Sequence, residues 1–135
     1  MITMCILFLA VSGSINGILP EELLTITAPL EVNDSLVFSD EAFNSLTNDL
    51  YSQLGLPDLW GYGCFHCSLP FEVKIESHGT TALMLIFLRT AEDTDGRLLS
   101  YSSPGSVIDW IQVYHWDLED AAPQTAFINT DGTII

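Results

Sequence analysis

Residues 71–88 constrain the fold most, because they carry two different apolar rhythms in succession. Phe71, Val73 and Ile75 alternate with Glu72, Lys74 and Glu76, a period of two that turns one face to a core and the other to water. Ser77 to Thr80 supply a turn, and Ala82 to Leu88 then run unbroken apolar, as a strand covered on both faces does. The pair predicts an antiparallel hairpin, and a hairpin by itself cannot bury its apolar faces. The rest of the chain must supply the cover.

One segment carries helical spacing. Phe43, Leu46, Leu50 and Leu54 recur three, four and four residues apart, while Asn44, Ser45, Asn48, Asp49 and Ser52 form the opposite side. Ser39 suits an N-cap, Asp40 and Glu41 suit the positive end of the helix dipole, and Gly55 with Pro57 ends the run. These signals predict one main amphipathic helix over about residues 40–54. Elsewhere strands dominate. Leu23 to Val32 reads as a strand with Pro29 marking an edge or bulge, and Asn33-Asp34 supplies a turn. Leu56 to Pro70 reads as a long loop, Ala91 to Arg97 as an acidic turn and Ser102 to Ser106 as a further connection. Val107 to Leu118 fits a strand by its aromatic and β-branched content, although Val107, Trp110, Ile111, Tyr114 and Leu118 also fit a helical stripe. Ala126 to Ile128 and Thr133 to Ile135 flank a turn and form a closing hairpin. The expectation is a single α+β domain of 135 residues, a largely antiparallel sheet with the 40–54 helix packed on it.

Met1 to Gly17 holds the apolar run Cys5 to Val11 followed by small residues. It reads as a buried strand, with a signal peptide as the alternative, since no Lys or Arg precedes the apolar run. Ser12 to Ser14 interrupt it well short of the ~18 apolar residues of a membrane span.

Charge bounds the function. The chain has 18 Asp and Glu against 3 Lys and Arg, a formal net charge of −15. Lys74, Arg89 and Arg97 are too few to neutralise a run of phosphates, so direct contact with nucleic acid or an anionic membrane is excluded and a basic partner is the natural complement. With 48% apolar residues the chain has the material for a core. Three cysteines indicate no disulfide framework and favour a cytoplasmic location.

Catalytic motifs are missing. There is no Gly-x-Ser-x-Gly, phosphate-cradling loop or His-Glu-x-x-His, so no catalytic residue, cofactor or metal is expected. Cys64 and Cys67 with His66 between them have the spacing of a zinc pair or a redox site, but His66, His78 and His115 complete no recognised ligand set, and two small buried or loop residues explain the pair. Glu92, Asp93 and Asp95 lack the spacing of a calcium loop and read as a solvated turn. Asn33-Asp34-Ser35 matches a glycosylation sequon only by coincidence. What stands out is acidity beside aromatics: Glu92, Asp93 and Asp95 in one group, and Asp109, Asp117, Glu119 and Asp120 around Trp110, Tyr114 and Trp116 in another. Aromatic anchors with a charged rim suit a protein interface, to which Asp58 and Trp60 add a further pair; a functionally neutral acidic surface around core aromatics is the alternative.

Two stretches resemble known families. Ser39 to Gly61, SDEAFNSLTNDLYSQLGLPDLWG, resembles the first helix and following loop of barstar-like ribonuclease inhibitors, small acidic proteins that plug a basic nuclease site. Tyr62 to Cys67 depart from that family's second helix, so its inhibitory residues do not carry over. Within residues 36–76, Leu46-Thr47, Leu54, Pro57-Asp58-x-Trp60, Leu69-Pro70 and Val73-Lys74-Ile75 are similar to PsiB-type plasmid SOS-inhibition proteins, which are also small and acidic and act on a recombinase. Both resemblances imply a non-catalytic acidic inhibitor of a nucleic-acid-handling protein, of the nucleic-acid-mimic, immunity or anti-defence kind that mobile elements encode. The partner expected is the basic site of a nuclease, recombinase or phage-defence complex; the alternatives are an assembly module that forms a homodimer and a small secreted protein.

Overall fold

The computed structural model describes residues 17–39, 46–60, 67–68, 70–76, 81–89, 93–119 and 122–135, with Trp60 described by its backbone alone. The strands are β1 (Leu24–Thr27), β2 (Leu30–Val32), β3 (Phe71–Lys74), β4 (Ala82–Arg89), β5 (Asp93–Ser103), β6 (Ser106–Asp117) and β7 (Ala126–Ile128). Among the described residues three short helices accompany them: α1 (Asp34–Val37), α2 (Asn48–Gln53) and α3 (Pro57–Trp60). Strands and bridges take 51% of the described residues and helices 14%, so the expected α+β class with one main helix gives way to a mostly β fold.

Five strands form one sheet in the order β1-β3-β4-β5-β6, and β2 and β7 pair in a second. The hairpin read from residues 71–88 is present, with Phe71 opposite Leu85 and Val73 opposite Leu83. β1 runs parallel to β3, which makes the large sheet mixed. That pairing also places β3 inside the sheet, and Glu72, expected in water, is only 3% exposed, with Lys74 Nζ 3.1 Å from its carboxylate. Pro29 acts at the segment level: its cis peptide bond to Ala28 lies between β1, an edge strand of one sheet, and β2, a strand of the other.

The sheet carries a core on each face. Leu85, Phe87 and Leu98 pack under β2, α1 and β7 with Ile26, Val32, Val37, Tyr114 and Ile128. Met84, Ile86, Leu99 and Tyr101 pack on the other side against Leu23 and the α2 region, including Leu50, Tyr51, Leu54 and Leu56.

Of the helix expected over residues 40–54, residues 40–45 lie outside the described residues, and within 46–54 only the six residues of α2 are helical. Thr47 is extended (φ −77°, ψ 158°) and its hydroxyl accepts from the Leu50 N–H at 3.2 Å, so it caps α2 rather than lying within a longer helix. Leu46 is non-helical and its N–H donates to the Cys67 carbonyl at 3.2 Å. The apolar stripe is nonetheless buried, because Leu50 and Leu54 reach the core from α2 and Leu46 reaches it from extended chain. Asn33, expected in a turn, caps α1 by accepting from the Ser35 and Leu36 N–H groups.

Cys67 is disulfide-bonded, which corrects the reading of the cysteines as inert small residues. An odd count of three leaves room for one bridge and one thiol. The apolar run at residues 5–11, Phe43, Cys64 and His66, and the turn at 77–80 lie outside the described residues.

Candidate interaction edge

β5 and β6 form the longest hairpin, 11 and 12 residues, which at about 3.3 Å per residue reaches roughly 35–40 Å. Pro104 and Gly105 turn it tightly between the paired residues Ser103 and Ser106. Gly105 (φ +71°) backs onto Gly55 (φ +70°), and a Cβ on Gly55 would collide with the Gly105 carbonyl, so two glycines dock the α2 end against the hairpin turn. Tyr101 reinforces that docking from the sheet: its buried hydroxyl donates to the Leu54 carbonyl at 2.7 Å, which satisfies a C-terminal group of α2.

Away from the turn, the register decides which charges meet. The acidic segment Asp93 to Arg97, expected as a turn, is the first part of β5. Gly96 lies opposite Tyr114 and Arg97 opposite Gln112, so Val113 is an extra residue on β6. This bulge lets the consecutive residues Val113 and Tyr114 both enter the core under α1, where the Tyr114 hydroxyl donates to Asp34 at 2.7 Å. Tyr114 is therefore a core residue and no part of an acidic rim.

On the opposite face the bulge aligns Asp95, Arg97, Gln112 and His115. Asp95 Oδ1 accepts from Gln112 Nε2 at 2.9 Å and lies 2.6 Å from His115 Nδ1, while its other oxygen is 3.3 Å from an Arg97 nitrogen. His115 Nε2 reaches Asp117 at 3.3 Å. The hydrogen bond to Asp95 is the largest influence holding the imidazole pKa above its ordinary value, and the bond to Asp117 and both carboxylate charges add to it against partial burial. Asp93 is paired directly across from Asp117, and the Glu119 N–H donates to the Asp117 carboxylate at 2.8 Å. Asp93, Asp117, Leu118 and Glu119 line an open polar hollow of about 450 Å³. The far end of the hairpin thus gathers four carboxylates against Arg97 and one histidine.

The middle of β6 has a different character. Ile108, Trp110 and Ile111 are 57%, 41% and 50% exposed on the outermost strand of the sheet. The Arg97 guanidinium lies 4.4 Å from the Trp110 ring centre, which links the apolar stretch to the charged end. Beside that stretch a groove of about 310 Å³ is lined by the apolar Leu83, Leu98, Trp110, Ile111 and Ile134 and by the polar Asp109.

Of the residues expected at an interface, the structure brings together Asp93, Asp95, Asp117 and Glu119. Asp109 is exposed further along β6 towards the turn, and Asp58 is exposed on α3, just past Gly55 and so by the turn end of the hairpin. Trp116 packs against the core, on the other side of the strand from Asp117, and does not centre an acidic face. Glu92, Asp120 and the side chain of Trp60 lie outside the described residues. Sequence reasoning missed His115, Gln112 and Arg97 as partners of Asp95. The period-two spacing of His115 and Asp117 on a strand was a readable signal; their meeting with Asp95 depended on the register.

Comparison with family profiles, with characterised proteins and with solved structures finds no match to this chain. Among the described residues no helix is long and apolar enough to cross a membrane, and no group of three or more His, Cys, Asp or Glu is arranged to hold a metal ion.

Proposed function

We propose that the protein is a non-catalytic acidic inhibitor that presents the far end of the β5–β6 hairpin to the basic nucleic-acid-binding site of a nuclease, recombinase or phage-defence complex. The observation carrying this reading is the convergence of Asp93, Asp95, Asp117 and Glu119 from two strands, with His115 between Asp95 and Asp117. Carboxylates fixed on a sheet are pre-positioned and attract a basic surface over a long range. The resemblances to barstar-like inhibitors and PsiB-type proteins point in the same direction. The test is a salt-titrated pull-down from the native host, comparing wild type with Asp93→Asn/Asp117→Asn/Glu119→Gln. Recovery of a nucleic-acid-processing protein that is lost in high salt, with competitor DNA and in the triple variant supports the reading. Recovery only of the protein itself, or of a partner indifferent to salt and DNA, refutes it.

This reading places the protein in the cytoplasm beside such targets, where thiols are kept reduced. The disulfide at Cys67 favours a second reading, a small protein of an oxidising compartment. Alkylation and intact-mass measurement on protein taken directly from its host decide between them: a modified Cys67 supports the cytoplasm, and a protected one supports the oxidising compartment.

A further inference from the structure

We propose that Asn33, in the triplet Asn33-Asp34-Ser35, is an N-glycosylation site that carries an oligosaccharide on its side-chain nitrogen. This rests on the reading of the protein as one of an oxidising compartment, and not on the inhibitor reading.

By spacing alone such a triplet carries no weight, because it arises by chance and is used only where the chain is exported. The structure adds what the triplet lacks. Cys67 is disulfide-bonded, and a bond of that kind persists in the compartments through which N-glycosylated chains pass. The apolar run Cys5 to Val11 with the small residues after it has a signal peptide as its alternative reading, which is the route into those compartments. Asn33 lies beyond that segment and stays with the chain when such a peptide is removed.

The three residues are also placed for modification. They join β2 to the first turn of α1, where Asp34 and Ser35 are exposed and Asn33 is half-buried. Asn33 Oδ1 accepts from the Ser35 and Leu36 N–H groups at 3.1 and 3.3 Å. The side-chain amide is planar, so an oxygen turned to the helix leaves Nδ2 turned away from it. Among the described residues nothing bonds that nitrogen or the Ser35 hydroxyl, the two groups that a sequon needs free. The Asp34 carboxylate between them accepts from the Tyr114 hydroxyl at 2.7 Å and is drawn towards β6. In the transfer Nδ2 bonds to the anomeric carbon of an oligosaccharide carried on a lipid pyrophosphate. The bond from that carbon to the pyrophosphate breaks, the pyrophosphate leaves and Nδ2 gives up one proton. The product keeps Oδ1 as an acceptor, so the sugar and the cap of α1 are compatible.

The test is peptide mass spectrometry on the full chain isolated from its native host, with and without an amidase that releases N-linked sugar and converts the acceptor to aspartate. The wild type is expected to carry sugar at Asn33, and its release to leave an aspartate there. Ser35→Ala removes the hydroxyl but keeps the N–H that donates to Asn33, so it is expected to lose the sugar completely while still melting cooperatively. Asn33→Gln is expected to lose it as well. Ser35→Thr, which keeps a hydroxyl at that position, is expected to retain it.

The site and the compartment fail separately. An unmodified Asn33 in protein whose Cys67 resists alkylation overturns the glycosylation site and leaves the oxidising compartment standing. An unmodified Asn33 together with an alkylated Cys67 overturns both. Sugar that persists in Ser35→Ala also overturns the site, because attachment then does not depend on the triplet. Sugar at Asn33 that is lost in Ser35→Ala and kept in Ser35→Thr supports the site, and argues against the cytoplasmic location that the inhibitor reading requires.

Discussion

Gly96→Ala is expected to destabilise the protein by about 1–3 kcal/mol, the range for forcing an extra carbon into a packed core. Gly96 sits in β5 between Phe87 of β4 and Tyr114 of β6, all three in register in one row. A Cβ there would lie 2.8 Å from the Tyr114 Cβ and 2.9 Å from the Phe87 ring. Ordinary carbon contacts lie at about 3.5–4.0 Å, so a neighbour must move by more than half an ångström. Neither has room to do so. Phe87 and Tyr114 are buried, their rings meet edge to face at 6.4 Å, and the Tyr114 hydroxyl is tied to Asp34. Against this, alanine restricts the unfolded chain and would stabilise by about 0.4–1 kcal/mol if the site could take it. The steric cost therefore outweighs the entropic gain. Urea unfolding followed by tryptophan fluorescence should give a lower midpoint with an unchanged slope, and a double-mutant cycle with Phe87→Leu should show coupling of about 0.5 kcal/mol or more as the smaller side chain makes space. A variant as stable as wild type, or more so, would refute the account of the Phe87–Gly96–Tyr114 row.

Three further outcomes are expected. Tyr101→Phe removes the donor to the buried Leu54 carbonyl and should cost about 1–2 kcal/mol in chemical denaturation; no change would mean that the carbonyl finds another donor. Asn33→Ala removes the acceptor for two N–H groups at the start of α1 and should cost about 1 kcal/mol in the same assay, whereas a silent substitution would show that the cap contributes nothing. The His115 pKa is raised by Asp95 first and Asp117 next, so its contribution to stability is complete below the unfolded value of about 6.5 and is lost as pH rises through the folded value. Thermal melts of wild type and His115→Gln should therefore differ more at about pH 6 than at about pH 9, and a gap that widens with pH would contradict the imidazolium bridge.

Strands were legible wherever the apolar rhythm was local. The β3–β4 pair and the closing turn before Thr133 each follow from a few consecutive residues, whereas residues 107–118 fitted a strand and a helical stripe alike and the structure decides for the strand β6. The helix over residues 40–54 misled because a stripe at Leu46, Leu50 and Leu54 reports burial, and both a long helix and an extended residue followed by a short helix achieve it. The side chain of Thr47 chooses between them by bonding the Leu50 N–H. Half of the acidic cluster was legible in the chain order, since Asp117 and Glu119 are close in the chain and Asp93 and Asp95 are close to each other.

The sequence alone determined that the chain is acidic and rich in strands, because charge and period-two alternation belong to residues close together in the chain. Tertiary structure decided what those residues do. Glu72 is buried because its face of the sheet, shared with its cross-strand partner Met84, is covered by the α2 region and so is not left to water. Asp95 meets His115, twenty residues on, because one extra residue at Val113 shifts β6 against β5. Strand order and bulges are set by which distant surfaces pack best, and that competition is settled across the whole core rather than within any segment.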